Sequence, residues 1–219
     1  MTLLLALETS WNRPRVILGD GANQLFDSHP DPTEARSRQL SDQVAEGLGA
    51  LGAGAADIGA ITINVGPGGL SAIRAGVAFA NALAFSGSIP IYPFNHFEII
   101  ARQALDAGDL PTVCAVPAAG EEAYLGLVRG GRVEFVGFGP LPALVEALGA
   151  GREKIAVAGR LRPRLLSLLH PAKVTDTLIE SPDGGVLFEM GLAAWRQAEG
   201  GRERVSPLTE ESALFQGAL

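Results

Sequence analysis

Short apolar runs separated by turn residues open the chain. Leu3-Leu4-Leu5-Ala6-Leu7 is continuously apolar, as expected of a strand covered on both faces. Asn12-Arg13-Pro14 ends it. Two further runs, 15–18 and 24–27, flank the turn Asp20-Gly21-Ala22-Asn23, so the three runs read as a meander. In Asp31-Pro32-Thr33-Glu34, Asp sits at an N-cap, Pro at the first helical position and Glu in the first turn. This predicts a helix over 31–51 with Leu40, Val44, Leu48 and Leu51 along one stripe. A strand at 60–65, a helix at 70–85, a short strand at 89–92 and a helix at 95–107 complete the first half.

The second half repeats this order. Strands are expected at 112–116, 122–128 and 133–138, the last two joined by the turn Arg129-Gly130-Gly131-Arg132. A helix at 141–148, a strand at 155–158 and a helix at 160–169 follow. Both halves thus read β-β-β-α-β-α, and two such units side by side make a two-lobed α/β protein. The boundary is expected near 107–111. A last helix is expected at 185–198, with a charged, loose tail from Glu199.

Between the strand at 60–65 and the helix at 70–85 lies Gly66-Pro67-Gly68-Gly69. Such a strand-to-helix corner can aim backbone N–H groups at an anion above the helix N-terminus; it can equally be a tight turn. No Walker lysine follows it, and Gly69-Leu70-Ser71-Ala72-Ile73 lacks the closing glycine of a nucleophile elbow. The helix carries small residues at every fourth position, Ala72, Gly76, Ala80 and Ala84, a ridge that lets another helix approach closely. The ridge and the 40–51 stripe are read as one docking surface comprising Leu40, Val44, Leu48, Leu70, Ala72, Ile73, Gly76, Val77 and Ala80. The corner sets the angle of the helix. Packing of the two helices on each other is the plainer alternative.

Composition narrows the function. A net charge of -7 argues against a chain that grips nucleic acid by itself. One cysteine, Cys114, excludes an internal disulfide and fits a reducing compartment. The apolar start meets Glu8 without a basic leader, and the uncharged stretch 75–91 contains Asn81, Ser86, Gly87 and Pro90, so it is expected to be a buried helix rather than a membrane span. The expected location is cytoplasmic. His29, His96 and His170 lie far apart, so no metal site is expected. Glu8 closes the first strand, where a carboxylate could face a metal or phosphate; Thr9 and Ser10 read as turn chemistry. Arg160-Leu161-Arg162-Pro163-Arg164 reads first as a solvated helix start and second as a contact for an acidic or RNA partner.

With Glu8-Thr9-Ser10, the corner and the element order together, the chain resembles the TsaB (YeaZ) family. That family's first strand ends in Asp-Thr-Ser. Its hallmark Gly-Pro-Gly-Ser-Phe-Thr-Gly-Leu-Arg-Ile-Gly aligns with Gly66-Pro67-Gly68-Gly69-Leu70-Ser71-Ala72-Ile73-Arg74-Ala75-Gly76, and Glu122-Ala123-Tyr124 is similar to its Glu-Val-Tyr. The resemblance implies a two-lobed actin-like, sugar-kinase-like ATPase fold, with an N-terminal lobe at 1–107 and a divergent C-terminal lobe at 108–219. It implies a non-catalytic subunit, with no cofactor or metal of its own, required for threonylcarbamoyl-adenosine formation in tRNAs that read codons beginning with adenosine. The implied partner is the catalytic paralogue TsaD, bound through the first two helices, with the ATPase TsaE joining the pair. A homodimer is the other pairing, and tRNA is met only through the complex. The family's Asp-Ala-Arg is replaced by Pro117-Ala118-Ala119, its early His-Ser pair by Ala35-Arg36-Ser37-Arg38-Gln39, and its C-terminal Tyr-Leu-Arg is absent. A small kinase or ATPase of the same fold, using Glu8 and Gly66–Gly69 around ATP, is the alternative.

Overall fold

The computed structural model describes residues 1–11, 13–21, 23–28, 39–105, 108, 110–149 and 153–215. They form two compact units, Met1–Asn95 with Asp183–Pro207 and His96–Pro182 with Leu208–Leu219.

In the first unit, β1 (Leu3–Glu8) is buried along its whole length. It pairs antiparallel with β2 (Arg15–Asp20), which pairs with β3 (Asn23–Asp27). On its other side β1 pairs parallel with β4 (Ile58–Asn64), and β4 with β5 (Ile91–Phe94). The sheet order is β3-β2-β1-β4-β5. Strand alternation sends Leu4 and Ala6 to one face, where Ile17 and Ala60 join them beneath Phe188 and Leu192 of the final helix. Leu3, Leu5 and Leu7 point the other way, toward α1 (Leu40–Ala50) and α2 (Leu70–Gly87). α1 presents Gly47 to Leu18 and Phe26 so closely that a methyl there would overlap both.

The second unit has the same plan. β6 (Thr112–Pro117), β7 (Glu122–Arg129) and β8 (Arg132–Pro140) form the meander. β9 (Ile155–Ala158) and β10 (Val174–Asp176) add in parallel, giving β10-β9-β6-β7-β8. α4 (Leu141–Leu148) and α5 (Arg162–Leu168) cover one face through Leu141, Leu144 and Leu165. α3 (His96–Ala104) covers the other with Phe97 and Ile100, against Cys114, Val116 and Tyr124. The two sheets share one connectivity, as the duplicated β-β-β-α-β-α order predicts.

Four expectations change. The first lobe does not end at 107: α3 packs its apolar face on the second sheet. The final helix α6 (Gly184–Gln197) returns to the first sheet, where Phe188 is 1% exposed, a burial that stabilises by roughly 2–3 kcal/mol. Asp183 caps α6, accepting from the N–H groups of Gly185 (2.8 Å) and Val186 (3.1 Å), while Arg15 bridges Asp183 and Asp27 at 2.6 Å each. The helix expected from 31 begins at Leu40 in the described part, because Gln39 is extended; the start signal at Asp31 lies outside the described residues.

The tail past Glu199 is tied down rather than loose. Arg202 exchanges two backbone hydrogen bonds with Ile91 on the sheet edge (2.8 and 2.9 Å), and the Asn81 side chain on α2 holds both backbone groups of Val205 at 2.9 Å. In the second unit Phe215 packs on Phe97 and Tyr124, and the Tyr124 hydroxyl donates to Glu210 at 2.9 Å. Burial and that carboxylate raise the Tyr124 phenol above its ordinary range.

Candidate functional site at the strand-end corner

The corner is built around a buried carboxylate. Glu8 ends β1 and is 7% exposed. Its Oε1 accepts from the backbone N–H of Ser10 (2.8 Å) and from the Ser10 hydroxyl (2.5 Å). Its Oε2 accepts from Asn64 Nδ2 at 2.8 Å. Asn64, at the end of the neighbouring parallel strand β4, turns its Oδ1 to the N–H of Gly66 at 2.9 Å. The Ser10 carbonyl accepts the N–H of Gly69 at 2.8 Å. Burial pushes the Glu8 carboxyl above the usual carboxylate range, against the downward pull of the Ser10 and Asn64 donors.

This geometry alters the chemistry expected of the corner. Gly66 and Gly69 donate inward, and Pro67, held in a cis peptide after Gly66, has no N–H to give. Three of the four residues read as a possible phosphate cradle therefore offer no outward donor. Gly68 is needed for room: a Cβ there would sit 2.5 Å from the Ser10 carbonyl oxygen. The carboxylate that could have faced a metal already accepts three hydrogen bonds. No group of three or more His, Cys, Asp or Glu side chains capable of holding a metal is found among the described residues.

The helix launched by the corner lies where the sequence predicts it, but its small-residue ridge is not an exposed surface. The ridge faces the helix's own sheet. A Cβ on Gly76 would overlap Thr9, and Ile73, Val77, Ala80 and Ala84 are buried in the unit. Val44 and Leu48 of α1 are buried as well, whereas Leu40, Leu70 and Ala72 sit half-buried at the helix flanks. Six of the nine docking positions, Val44, Leu48, Ile73, Gly76, Val77 and Ala80, are thus core. The face of α2 that reaches solvent carries Ser71, Arg74, Ala75, Ala78 and Ala82 and ends at Phe85, 89% exposed. α2 has the length and composition of a membrane span, and it is not the fully buried helix expected: five of its 18 residues are buried, all on the sheet-facing side.

Thr9 Oγ1 is buried against α2 without a hydrogen-bond partner. The other candidates do not converge. His29 lies outside the described residues, His96 opens α3 and is buried, and His170 accepts from the N–H of Ala172 at 3.3 Å. In the basic cluster, Arg162 pairs with Asp176 (2.7 Å) and Glu180 (3.3 Å), and Arg164 lies 3.8 Å from Glu121.

The model of the family described as TsaD, tRNA N6-adenosine threonylcarbamoyltransferase, matches residues 31–147, more than half the chain. The chain belongs to this family. A tRNA N6-adenosine threonylcarbamoyltransferase from Halalkalibacterium halodurans is 26% identical over 187 residues, covering 77% of this chain and 51% of its own length. The chain thus spans about half the length of that curated relative. Two solved structures share the fold. An uncharacterized Pseudomonas aeruginosa protein with similarity to peptidase YeaZ has a TM-score of 0.74 at 22% identity, covering 95% of this chain and 99% of its own. YeaZ from Pseudomonas aeruginosa has a TM-score of 0.71 at 21% identity, covering 94% and 100%. The resemblance to the TsaB (YeaZ) family thus holds in fold, inside a TsaD-family sequence.

Proposed function

We propose that this chain is a TsaB-type member of the TsaD family, a non-catalytic subunit that supports threonylcarbamoyl transfer to adenosine in tRNA by pairing in the cytoplasm with a TsaD paralogue. The observation that carries the reading is the fate of the corner. Glu8 is spent on Ser10 and Asn64, and the corner's N–H groups at Gly66 and Gly69 are spent on Asn64 and Ser10. What the corner offers outward is a helix face of small side chains, Ser71, Ala75, Ala78 and Ala82, at the 4-3-4 spacing over which two helices can pack closely. Membership of the TsaD family supports a role beside the transferase in this modification.

The test is co-purification with the TsaD paralogue of the same organism, followed by sizing and an assay of tRNA modification. Ala78→Arg puts a bulky cation on the exposed face and is expected to weaken pairing by about a hundredfold, as expected for a blocked interface centre. It should leave the melting temperature unchanged, because Ala78 is exposed. Full pairing by a folded Ala78→Arg protein would remove this face from the interface. Turnover of Mg-ATP by the chain alone would overturn the non-catalytic reading.

A further inference from the structure

We infer that Glu8 and Asn64 act as a pair of positioning residues that fix the start of α2, and through it the presentation of its outward face; this rests on the docking role proposed above. The argument is one of hydrogen-bond polarity. Gly66 N–H is a donor and needs an acceptor. It takes Asn64 Oδ1, which forces Asn64 Nδ2 toward Glu8. Ser10 N–H is also a donor, pointing at the same side chain from the other side. The residue at position 8 must therefore accept on both oxygens, and a carboxylate is the group that does so. The lock reaches both ends of the corner. It holds Gly66 through Asn64, and Gly69, the N-cap residue of α2, through the Ser10 carbonyl. Gly69 has no side chain with which to cap the helix, so the start of α2 leans on this network. The burial of Asn64 (0% exposed) and Ser10 (1%) keeps water from substituting for a lost partner.

Reversing one amide tests the inference. In Glu8→Gln, whichever way the two amides turn, one N–H faces another at Ser10, between the side chains or at Gly66. In the double variant Glu8→Gln/Asn64→Asp the polarity is complementary again. The new amide at position 8 accepts from Ser10 and donates to the new carboxylate at position 64. That carboxylate accepts from Gly66 on its other oxygen, and the net charge equals that of the wild type. The readouts are amide hydrogen exchange at Gly66 and Gly69, and the dissociation constant with the TsaD paralogue of the same organism. Glu8→Gln is expected to speed exchange at both glycines and to weaken pairing about tenfold, as for one buried donor left unpaired. The reciprocal double variant should restore both to within about threefold of wild type. A merely stabilising role would move thermal stability and leave the pairing constant of the folded protein alone. That result, with the wild type pairing normally, overturns the inference and leaves the docking reading intact. Failure of the double variant to recover pairing also overturns it. If the wild type itself does not pair, the docking reading falls and takes the inference with it. Should Glu8→Gln not fold, Ser10→Ala removes the hydroxyl donor alone; faster Gly69 exchange with weaker pairing then supports the lock, and unchanged pairing overturns it.

Discussion

The two units share one strand order but solve the turn from fourth strand to helix differently. In the first, side chains do it: Glu8, Ser10 and Asn64 converge on Gly66 and Gly69, and an 18-residue helix follows. In the second, the equivalent corner after β9 is held by backbone. Gly159, at φ +90°, donates to the Ile179 carbonyl at 2.8 Å, Leu161 donates to the Ala115 carbonyl at 3.1 Å, and the helix lasts 7 residues. At the strand end matching Glu8 stands Pro117, which can neither accept through a side chain nor donate from its backbone. A polar hub can aim a long helix accurately because each hydrogen bond has a direction; a backbone turn suffices where the helix only covers its sheet. On the docking role proposed above, the side-chain hub falls at the helix whose orientation matters.

Four substitutions would break or sharpen this contrast. The largest effect is expected from Gly76→Leu. The side chain would drive into Thr9, costing about 3 kcal/mol or more from overpacking. Both tryptophans, Trp11 and Trp195, lie in the first unit, so denaturant melts followed by their fluorescence should show the loss; an unshifted midpoint would mean that α2 does not sit this close to its sheet. Gly159→Ala comes next, at about 2 kcal/mol, for a left-handed residue whose Cβ would overlap the Ala115 carbonyl. Far-ultraviolet circular dichroism should report it more strongly than tryptophan fluorescence, since the loss falls in the second unit. Asn81→Leu removes both side-chain bonds to Val205 and is expected to cost about 1–2 kcal/mol, with faster amide exchange at Val205. Thr9→Val is the smallest change and has the opposite sign. It exchanges an unpartnered buried hydroxyl for a methyl of similar shape, for a gain of up to about 1 kcal/mol in the same melts.

The strands were legible because their apolar runs are short, β-rich and bounded by Gly, Pro, Asn and Asp; β1, β2, β6 and β9 fall within a residue or two of expectation. The face of α2 was not legible, for a specific reason. Small residues occupy both sides, 72/76/80/84 and 71/75/78/82, so the pattern has little amphipathic contrast. The phase is settled by Ile73 and Val77 and by the close approach of Gly76 to Thr9, which exists only once the sheet has formed. The allegiance of α3 and α6 was hidden in the same way: each is amphipathic, and neither sequence says which sheet it will cover. In the candidate site, Glu8 and the corner glycines stood out, but Asn64 did not. A polar residue at the end of a buried strand was the available signal, and its importance emerges from pairing with Glu8 across 56 positions.

The return of α6 to the first sheet also dictates an order of events during synthesis. Leu4, Ala6, Ile17 and Ala60 leave the ribosome early, yet Phe188 and Leu192, which cover them, come after the whole of 96–182. The second unit waits as well, since Phe215 closes its core near the end of the chain. At translation rates of about 5–20 residues per second, the nascent first sheet keeps an uncovered apolar face for several seconds or more. Neither unit can finish as an independent early domain, and a nascent-chain chaperone has its longest opportunity on the face that α6 later seals.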